Sequence, residues 1–294
     1  MIKGHKTFKI SVVIPTYNSW YTLKKTISSI EKQTFGASEI IIVDNCSIDG
    51  TSEKVRKYFP AVKLIKMKKN TGVSGGRNEG IKFADKKSDY LFFFDHDMYA
   101  DPEMLEGLMK VAISDKKIGI VTPKIFYFGD KKRIWAAGTG INLWTGQVLF
   151  RGGRDVGQFE KIEEVQIAPA AMLIKKEVLR KIKGFDIKYF ATYEDTDFCF
   201  RAKKSGFSTF YAPKAIAFHD LPIDFEQESI RLLSRGYWVG KNRVIFMKDF
   251  GKSFLVFLMF LPIYCLYYLK LAIKFHNLNG WGEFMKGTIN GLFF

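Results

Sequence analysis

The apolar residues in the N-terminal half of the chain form short continuous runs that alternate with segments of helical spacing. Runs of this kind, rich in β-branched residues, indicate strands that are buried on both faces of a sheet. The predicted strands are residues 9–15, 39–43, 62–67, 90–94 and 118–122, and the predicted helices are residues 20–33, 47–59, 79–84 and 102–114. This alternation predicts an α/β fold, in which a mostly parallel sheet carries helices on both faces.

The pattern changes beyond this region. Between residues 126 and 166 Gly and aromatic residues are frequent, and we expect a β-rich or loop-rich insertion that forms a wall on the acceptor side of the molecule. Regular elements then return as a strand at 167–175, helices at 177–182 and 192–205, and strands at 208–218 that end at His219.

The C-terminal region differs from the rest in being first basic and then apolar. Residues 227–252 are rich in Arg and Lys, and residues 254–269 carry no charge. A 16-residue helix spans roughly 24 Å, which is less than the ~30 Å hydrocarbon core of a bilayer, although Lys270 and Lys274 could extend it by snorkelling. The alternatives are a short tilted pass, a helix in the membrane interface and a buried helix of a globular domain. We therefore divide the chain into residues 1–225 and a helical, membrane-associating region at 226–294.

Composition narrows the range of partners. Hydrophobic residues make up 47% of the 294 residues, which excludes a disordered chain. The formal net charge of +16 favours polyanions, but no nucleic-acid-binding motif is present, so we expect a membrane surface and no nucleic acid. The alternative to a membrane partner is a soluble basic protein, in which the lysines serve only to maintain solubility.

The cysteines and the N-terminus indicate a cytoplasmic setting. Cys46, Cys199 and Cys265 are scattered and odd in number, so neither a disulfide framework nor a zinc site is expected. Residues 1–8 are basic and contain no long apolar stretch, which predicts that no signal peptide is present.

Two acidic clusters carry the most informative chemistry. Asp95 and Asp97 follow the apolar run 90–94, so they lie at the carboxyl end of a buried strand, where both can face one divalent cation and its phosphates. About a hundred residues later, Glu194 and Asp195 could supply a general base. This division points to transfer of a group from a nucleotide donor.

Other polar or glycine residues fall at the ends of neighbouring strands. Tyr17 offers an aromatic face and a hydroxyl, and Asp44 can accept hydrogen bonds from a base or ribose, or instead cap the next helix. The Gly-rich segment 70–78 is predicted to be a loop whose amides approach a phosphate, with Arg77 adding a charge-assisted contact.

Five segments, taken in order, resemble family 2 of the glycosyltransferases, which have the GT-A fold. The resemblance covers about residues 8–220, and the segments are VVIPTYN at 12–18, VDNCSIDGT at 43–51, NTGVSGGRN at 70–78, DHD at 95–97 and EDTD at 194–197. The extended form of the third segment, residues 70–80, is most similar to a rhamnosyltransferase-like branch that builds cell-surface polysaccharides.

The resemblance implies a role for each matching residue. The nucleotide and donor site would contain Pro15, Thr16, Tyr17, Asn18, Asp44, Asn70, Gly72, Gly76, Arg77, Asp95 and His96. His96 is included in this set, although in an extended segment its side chain would point to the other face, which indicates a structural role. The metal, Mn²⁺ or Mg²⁺, would be bound directly by Asp97, with Asp95 facing ribose and metal and His219 completing the shell. Asp195 would be the general base and Glu194 would support donor or acceptor.

The sequence therefore predicts a metal-dependent, inverting glycosyltransferase at the cytoplasmic face of the cell membrane. Its donor would be a UDP- or dTDP-linked sugar, and its acceptor a hydroxyl of a lipid-linked or cell-surface glycan or of a polyprenyl phosphate. Two alternatives stay open: a nucleotidyltransferase that makes the activated sugar, and a non-catalytic glycan- or lipid-binding protein on the same scaffold.

Overall fold

The computed structural model describes residues 8–294, so most of the segment in which no signal peptide is expected lies outside the described residues. The strands of this part are β1 (Ile10–Thr16), β2 (Glu39–Asp44), β3 (Lys63–Lys66), β4 (Tyr90–Phe94), β5 (Met98–Ala100), β6 (Ile118–Tyr127), β7 (Asp130–Ala137), β8 (Gly140–Ile141), β9 (Val148–Leu149), β10 (Gly153–Arg154), β11 (Glu163–Val165), β12 (Ala171–Lys175) and β13 (Ser208–His219). The helices are α1 (Trp20–Glu31), α2 (Thr51–Tyr58), α3 (Gly72–Phe83), α4 (Met104–Ala112), α5 (Lys176–Ile182), α6 (Glu194–Lys204), α7 (Phe225–Ser234), α8 (Gly236–Phe250), α9 (Phe254–Lys274) and α10 (Leu278–Leu292).

The central sheet confirms the predicted α/β fold. Its strand order is β10-β7-β6-β12-β4-β1-β2-β3, and the pairs β4-β1, β1-β2 and β2-β3 are parallel. Strand β12 is inserted antiparallel between β4 and β6. Thr16 pairs with Asp44, so the carboxyl ends of β1 and β2 lie side by side. The residues that follow these strands therefore share one edge of the sheet.

The central strands are buried on both faces, which is why their sequences are continuous apolar runs. Val12 and Phe92 pack with the apolar sides of α1 and α4, while Val13 and Phe93 pack with those of α5 and α6. Successive residues of a strand point to opposite faces, so each strand contributes to both cores. The predicted insertion at 126–166 is β-rich, since it contains all of β7 to β11.

The prediction that the Gly-rich segment 70–78 is a loop is wrong, because α3 begins at Gly72. The glycines allow this helix to approach the sheet closely. A Cβ on Gly80 would lie 2.2 Å from Val13 Cγ1, and one on Gly76 would lie 3.0 Å from Pro15 Cβ. Packing of the helix against β1 therefore outweighs the low helical propensity of glycine.

Four helices follow the sheet. Helices α8 and α10 pack closely through glycines: a Cβ on Gly287 would lie 2.0 Å from Tyr237 O, and one on Gly240 would lie 2.4 Å from Phe284 O. Helix α9 has 21 residues and extends through Lys274, beyond the predicted 254–269. Among residues 8–294 it is the one helix long and apolar enough to cross a membrane, by length and composition alone.

Candidate active site

The buried guanidinium of Arg77 connects the two acidic clusters. Arg77 on α3 donates from Nη2 to Asp95 Oδ1 at 2.9 Å and from Nη1 to Glu194 Oε1 at 3.4 Å. Its side chain is 1% exposed, and the ring of Phe185 lies 5.1 Å from the guanidinium carbon. A guanidinium removed from water requires such partners, since an unpaired buried charge costs several kcal/mol. Arg77 therefore bridges the two clusters, and the phosphate contact predicted from the sequence stays a prediction.

Asp97 and His219 meet at the other side of the first cluster. The long strand β13 pairs with β5 so that His219 lies opposite Met98, which brings His219 Nε2 to 3.2 Å from Asp97 Oδ1. Burial alone would raise the pKa of Asp97, but the hydrogen bond and charge of His219 hold that pKa well below its ordinary value. The fold thus places two residues together that are 122 positions apart in the sequence.

These two side chains fit a divalent cation as a partial ligand set. A carboxylate oxygen and an imidazole nitrogen are ligands that Mn²⁺ accepts, and the pair lies beside Asp95. Within residues 8–294 no three His, Cys, Asp or Glu side chains converge as a complete metal site. A cation at Asp97 would therefore need further oxygen ligands from phosphate and water, as is usual for ions of this class.

The second cluster begins helix α6. Burial and the neighbouring Asp195 charge raise the pKa of Glu194 to about 7, although Arg77 opposes this effect. Burial also raises the pKa of Asp195, against Arg77 and the hydrogen bond from Thr196 N at 2.6 Å. Asp195 is half-buried and Glu194 is buried. An accessible carboxylate with a raised pKa is suited to accept a proton.

The next acid in the cluster has a structural partner. Asp197 Oδ2 accepts a hydrogen bond from Arg201 Nε at 2.7 Å and forms an ion pair with Nη2 at the same distance, and Arg201 Nη1 donates to the carbonyls of Ile182 and Gly184. Residues spaced four apart on a helix lie on the same side of it, which allows this pair to form. The pair anchors α6 to the end of α5.

The backbone in front of the second cluster is held in an unusual conformation. Thr192 and Tyr193 both have φ of 65°, a left-handed value that costs energy for residues with a Cβ. Asn242 Nδ2 on α8 donates to the carbonyls of Ala191 and Thr192 at 2.8 and 3.0 Å. Arg243 Nε donates to Tyr193 Oη at 3.3 Å. Helix α8 therefore fixes the loop that presents Glu194 and Asp195.

The residues after β1 form one wall of the edge. Pro15 and Thr16 are buried, whereas Tyr17 is 44% exposed and offers an open aromatic face. Asn18 has φ of 47°, and its backbone N donates to Ser47 Oγ at 2.8 Å. The loops that follow β1 and β2 are thereby tied together.

Asp44 is buried and both of its carboxylate oxygens have partners. Oδ1 accepts from Ser47 N at 2.8 Å, and Oδ2 accepts from the hydroxyl of Ser52. Ser47 lies in the segment that leads into α2, and Ser52 is in the first turn of that helix. They match the alternative in which Asp44 organises the start of the next helix.

The amides of the Gly-rich segment also have protein acceptors. Thr71 N, Gly72 N and Val73 N donate to Asn45 Oδ1, Asn70 Oδ1 and Phe190 O, respectively. Gly72 itself has φ of 73° and lies so close to Phe190 that a Cβ would overlap its carbonyl oxygen. These contacts pack the start of α3 against the loop at Phe190, and the predicted approach of the segment to a phosphate stays a prediction.

The remaining predicted residues have mainly structural surroundings. The ring of His96 lies 3.3 Å from Ser19 Oγ and 3.4 Å from Thr22 Oγ1, at the start of α1. Trp135 packs edge-on against His219, with ring centroids 4.5 Å apart. Trp144 is 47% exposed.

Sequence reasoning missed Asn45, Asn242 and Arg243. Asn45 follows Asp44 at the end of β2, and this place after a predicted strand is the feature of the sequence that could have identified it. Asn242 and Arg243 act on a loop about 50 residues upstream, and no spacing in the sequence indicates this contact.

Comparison with solved structures assigns the fold. The crystal structure of GalNAc-T7 with UDP, GalNAc and Mn²⁺ matches with a TM-score of 0.61 and 18% identity, over 74% of this chain and 44% of that one. The mannosyltransferase PcManGT from Pyrobaculum calidifontis, in complex with GDP-Man and Mn²⁺, matches with a TM-score of 0.60 and 17% identity, over 95% and 73% of the two chains. At this identity the likeness concerns the fold, and it confirms the predicted GT-A architecture.

Sequence comparison assigns the family. The model of Glycosyl transferase family 2 matches residues 11–183, and the chain belongs to this family of enzymes. Relatives include the uncharacterized glycosyltransferase YibD of Escherichia coli K12, 38% identical over 38% of this chain and 32% of that protein. Another is the poly(ribitol-phosphate) beta-N-acetylglucosaminyltransferase TarP of Staphylococcus aureus, 39% identical over 34% and 32%. The matched region spans about a third of each relative's length.

Proposed function

We propose that this glycosyltransferase moves a sugar from a nucleotide-sugar donor to a hydroxyl of a membrane-linked glycan or polyprenyl-phosphate acceptor, with inversion. The observation that carries the proposal is the joining of Asp95, Arg77 and Glu194 beside the Asp97–His219 pair. In this arrangement the proposed cation ligands and the proposed base would face one another at the edge of the sheet where ligands of α/β folds bind.

The donor would lie over the ends of β1 and β4. Tyr17 supplies an exposed face for the base, and Asp95 lies beside Asp97 to meet ribose and cation. Asn70, Gly72 and Gly76 would shape the wall behind it, through the packing of α3. Asp97 and His219 would hold Mn²⁺ or Mg²⁺, which when bound neutralises the charge of the leaving nucleoside diphosphate. The Mn²⁺ bound in two structural neighbours supports this choice.

Asp195 would act as the base. Its carboxylate is half-buried, its pKa is raised by burial, and it is fixed by Thr196 N at the start of α6. It would take the proton of the acceptor hydroxyl as that oxygen attacks the anomeric carbon and the diphosphate leaves. One displacement of this kind inverts the anomeric centre. Glu194 is buried and bound to Arg77, so it supports the site from behind.

The acceptor and its location are proposed from the C-terminal helices and from one relative. The Escherichia coli protein WfgD, 32% identical over 31% of this chain and 35% of its own, is a glucosyltransferase that acts on a diphosphoundecaprenol-linked sugar. The apolar helix α9 is connected to the site through α8. We therefore propose that the enzyme works at the cytoplasmic face of the membrane, with a UDP- or dTDP-linked donor.

The proposal is tested by measuring the binding of nucleotide sugars. We expect one class of nucleotide sugar among UDP, dTDP and GDP derivatives to raise the melting temperature with Mn²⁺ or Mg²⁺, and the shift to vanish with chelator. Asp97→Ala should lose the metal-dependent shift because it removes a proposed ligand, whereas the exposed Asp115→Ala should keep it. An equal shift with and without chelator would contradict the metal-dependent donor site.

A further inference from the structure

The outer side of helix α9 is an apolar stripe that faces away from the protein. We propose that this stripe lies in the interface of an anionic lipid bilayer, with the helix axis parallel to the membrane plane. The inference deepens the proposed function, in which the acceptor is membrane-linked, by naming the surface and the lipid chemistry that hold the enzyme there.

Helix α9 has two distinct apolar sides. The inner side is buried against the protein and consists of Phe257, Leu261, Tyr268, Leu271 and Ala272. The outer side repeats at intervals of three and four residues, so it forms one continuous stripe, consisting of Leu255, Met259, Ile263, Leu266, Lys270 and Ile273. The outer apolar residues are 57–76% exposed. A contiguous apolar strip of this length is unusual on a surface that faces water.

The way in which α9 packs favours a helix in the interface over one that crosses the bilayer. At the centre of α9, Tyr264 Oη donates to the carbonyl of Thr145 at 3.0 Å. One turn further on, Tyr268 stacks on Phe284 of α10, with ring centroids 3.9 Å apart. Because the buried side chains of α9 extend from Phe257 to Ala272, the helix contacts the rest of the protein along most of its length.

A crossing helix would carry these neighbours into the hydrocarbon. Helices α8 and α10 bear Lys241, Lys248, Glu283 and Lys286, whose burial in lipid would be costly. The hairpin of β8 and β9 would place loop backbone in the bilayer as well, where lipid-exposed irregular structure does not occur. A helix that lies along the surface avoids both costs, because only its outer stripe enters the lipid.

The lysines around the stripe favour anionic lipid. Lys252, Lys270 and Lys274 are exposed, and none of them forms an ion pair within residues 8–294. Helix α9 carries no acidic residue. Lysines at the edge of an apolar strip can extend to headgroups, and each adds attraction to anionic lipid. Trp144, whose ring lies 5.6 Å from Lys252 Nζ, supplies the aromatic residue that is typical of the interface.

The proposed surface is also connected to the active site. Arg243 lies 4.1 Å from the ring centre of Tyr264 on α9, and it donates to Tyr193, two residues before Asp195. The membrane-facing helix and the loop of the base are thus linked through one buried side chain. An acceptor held in the same membrane would reach the site without leaving the lipid surface.

The test is binding of the full chain to vesicles without donor or acceptor, so it is independent of turnover. We expect binding to vesicles of phosphatidylcholine with phosphatidylglycerol and weaker binding to phosphatidylcholine alone. Replacing Leu255, Met259, Ile263 and Leu266 together by Ser should reduce partitioning at least about tenfold, because four apolar side chains no longer leave water. Replacing Lys252, Lys270 and Lys274 by Gln should remove the preference for anionic vesicles.

A matched control carries Ser at the exposed apolar residues Ile48, Val156 and Ile187, which lie outside α9, and it should bind as the wild type does. Circular dichroism of every variant checks that the chain is folded. Unchanged binding of the folded Ser variant would overturn the proposal. So would loss of a dimer in that variant without any vesicle binding by the wild type, since a second copy would then cover the stripe.

The depth at which residues of α9 enter the bilayer distinguishes a helix in the interface from a helix that crosses the membrane. Met259→Trp and Ile273→Trp place a fluorophore near either end of the stripe, and brominated lipids quench it according to depth. Equal, shallow quenching at both positions is expected for a helix parallel to the membrane. Quenching at different depths, or deepest at Ile263→Trp in the middle of the helix, would show a crossing helix and contradict the proposal.

Discussion

At the residue scale, the charge balance of the site depends on Arg77. Its guanidinium contacts a carboxylate from each acidic cluster while being almost completely buried. The arrangement leaves Glu194 Oε2 without a hydrogen-bond partner among the described residues, and burial raises the pKa of this acid to about 7. Such unsatisfied groups commonly occur where a site awaits a ligand or trades stability for function.

The raised pKa of Glu194 predicts a pH-dependent stability of the ligand-free protein. The folded state holds a proton on Glu194 up to about pH 7, whereas the unfolded chain releases it near its ordinary value of 4.5. The free energy of unfolding therefore falls as pH rises between these values, by at most about 1.4 kcal/mol per pH unit for this group. Denaturant unfolding from pH 4.5 to 8 measures this slope.

Glu194→Gln should flatten the dependence, because the amide does not titrate. The exposed Glu103→Gln serves as the matched control and should retain the wild-type slope. A Glu194→Gln variant that keeps the full slope would assign the titration to another group.

At the element scale, helix α8 supports the active site from a distant part of the sequence. Asn242 is fully buried and binds the two carbonyls that precede Tyr193, in the segment with left-handed backbone. Strain of this kind persists only where neighbouring structure imposes it. The helix thus acts as a brace for the loop that presents Asp195.

Asn242→Ala should relax the loop and lower kcat by about ten- to a hundredfold, because a misplaced base loses most of its effect. Donor affinity should change little, since Asn242 contacts none of the donor-side residues. Steady-state kinetics with a donor titration separates the two quantities. Asn290→Ala, an exposed asparagine on α10, is the control. A loss confined to donor affinity would contradict the role of Asn242 as a brace.

The contact of α8 with α10 depends on glycine. A Cβ at Gly287 would lie 2.0 Å from a backbone oxygen, which cannot move away as a side chain can. Gly287→Ala should therefore lower the free energy of unfolding by about 1–3 kcal/mol. Gly282, on the same helix, has open space within 4 Å of where a Cβ would lie, and its substitution by Ala should stabilise the helix by up to about 1 kcal/mol. Denaturant unfolding compares the two; destabilisation of equal size would contradict the packing argument.

At the scale of the whole molecule, the sequence predicted the sheet and the edge at which the site lies. The strands were predictable because burial on both faces leaves continuous apolar runs, and the order of five sequence segments indicated the family that comparison confirmed. The helical state of 72–78 was not predictable, because glycine has low helical propensity and only the close approach to β1 explains its use. The partners of Arg77 and Asn242 depend on tertiary contacts between segments with no common spacing.

Three sets of predictions stay predictions. They are the division at residue 225, the rhamnosyltransferase-like branch and the role of each site residue.

The central claim is that Asp195 is the base of a metal-dependent sugar transfer. It is tested most directly by measuring, for wild type and Asp195→Asn, both nucleoside diphosphate release in the presence of acceptor and binding of the same nucleotide sugar with Mn²⁺. We predict that the variant loses turnover by about 100-fold or more while binding the donor as the wild type does, because the amide cannot accept the proton. Near-normal turnover in Asp195→Asn would contradict the claim.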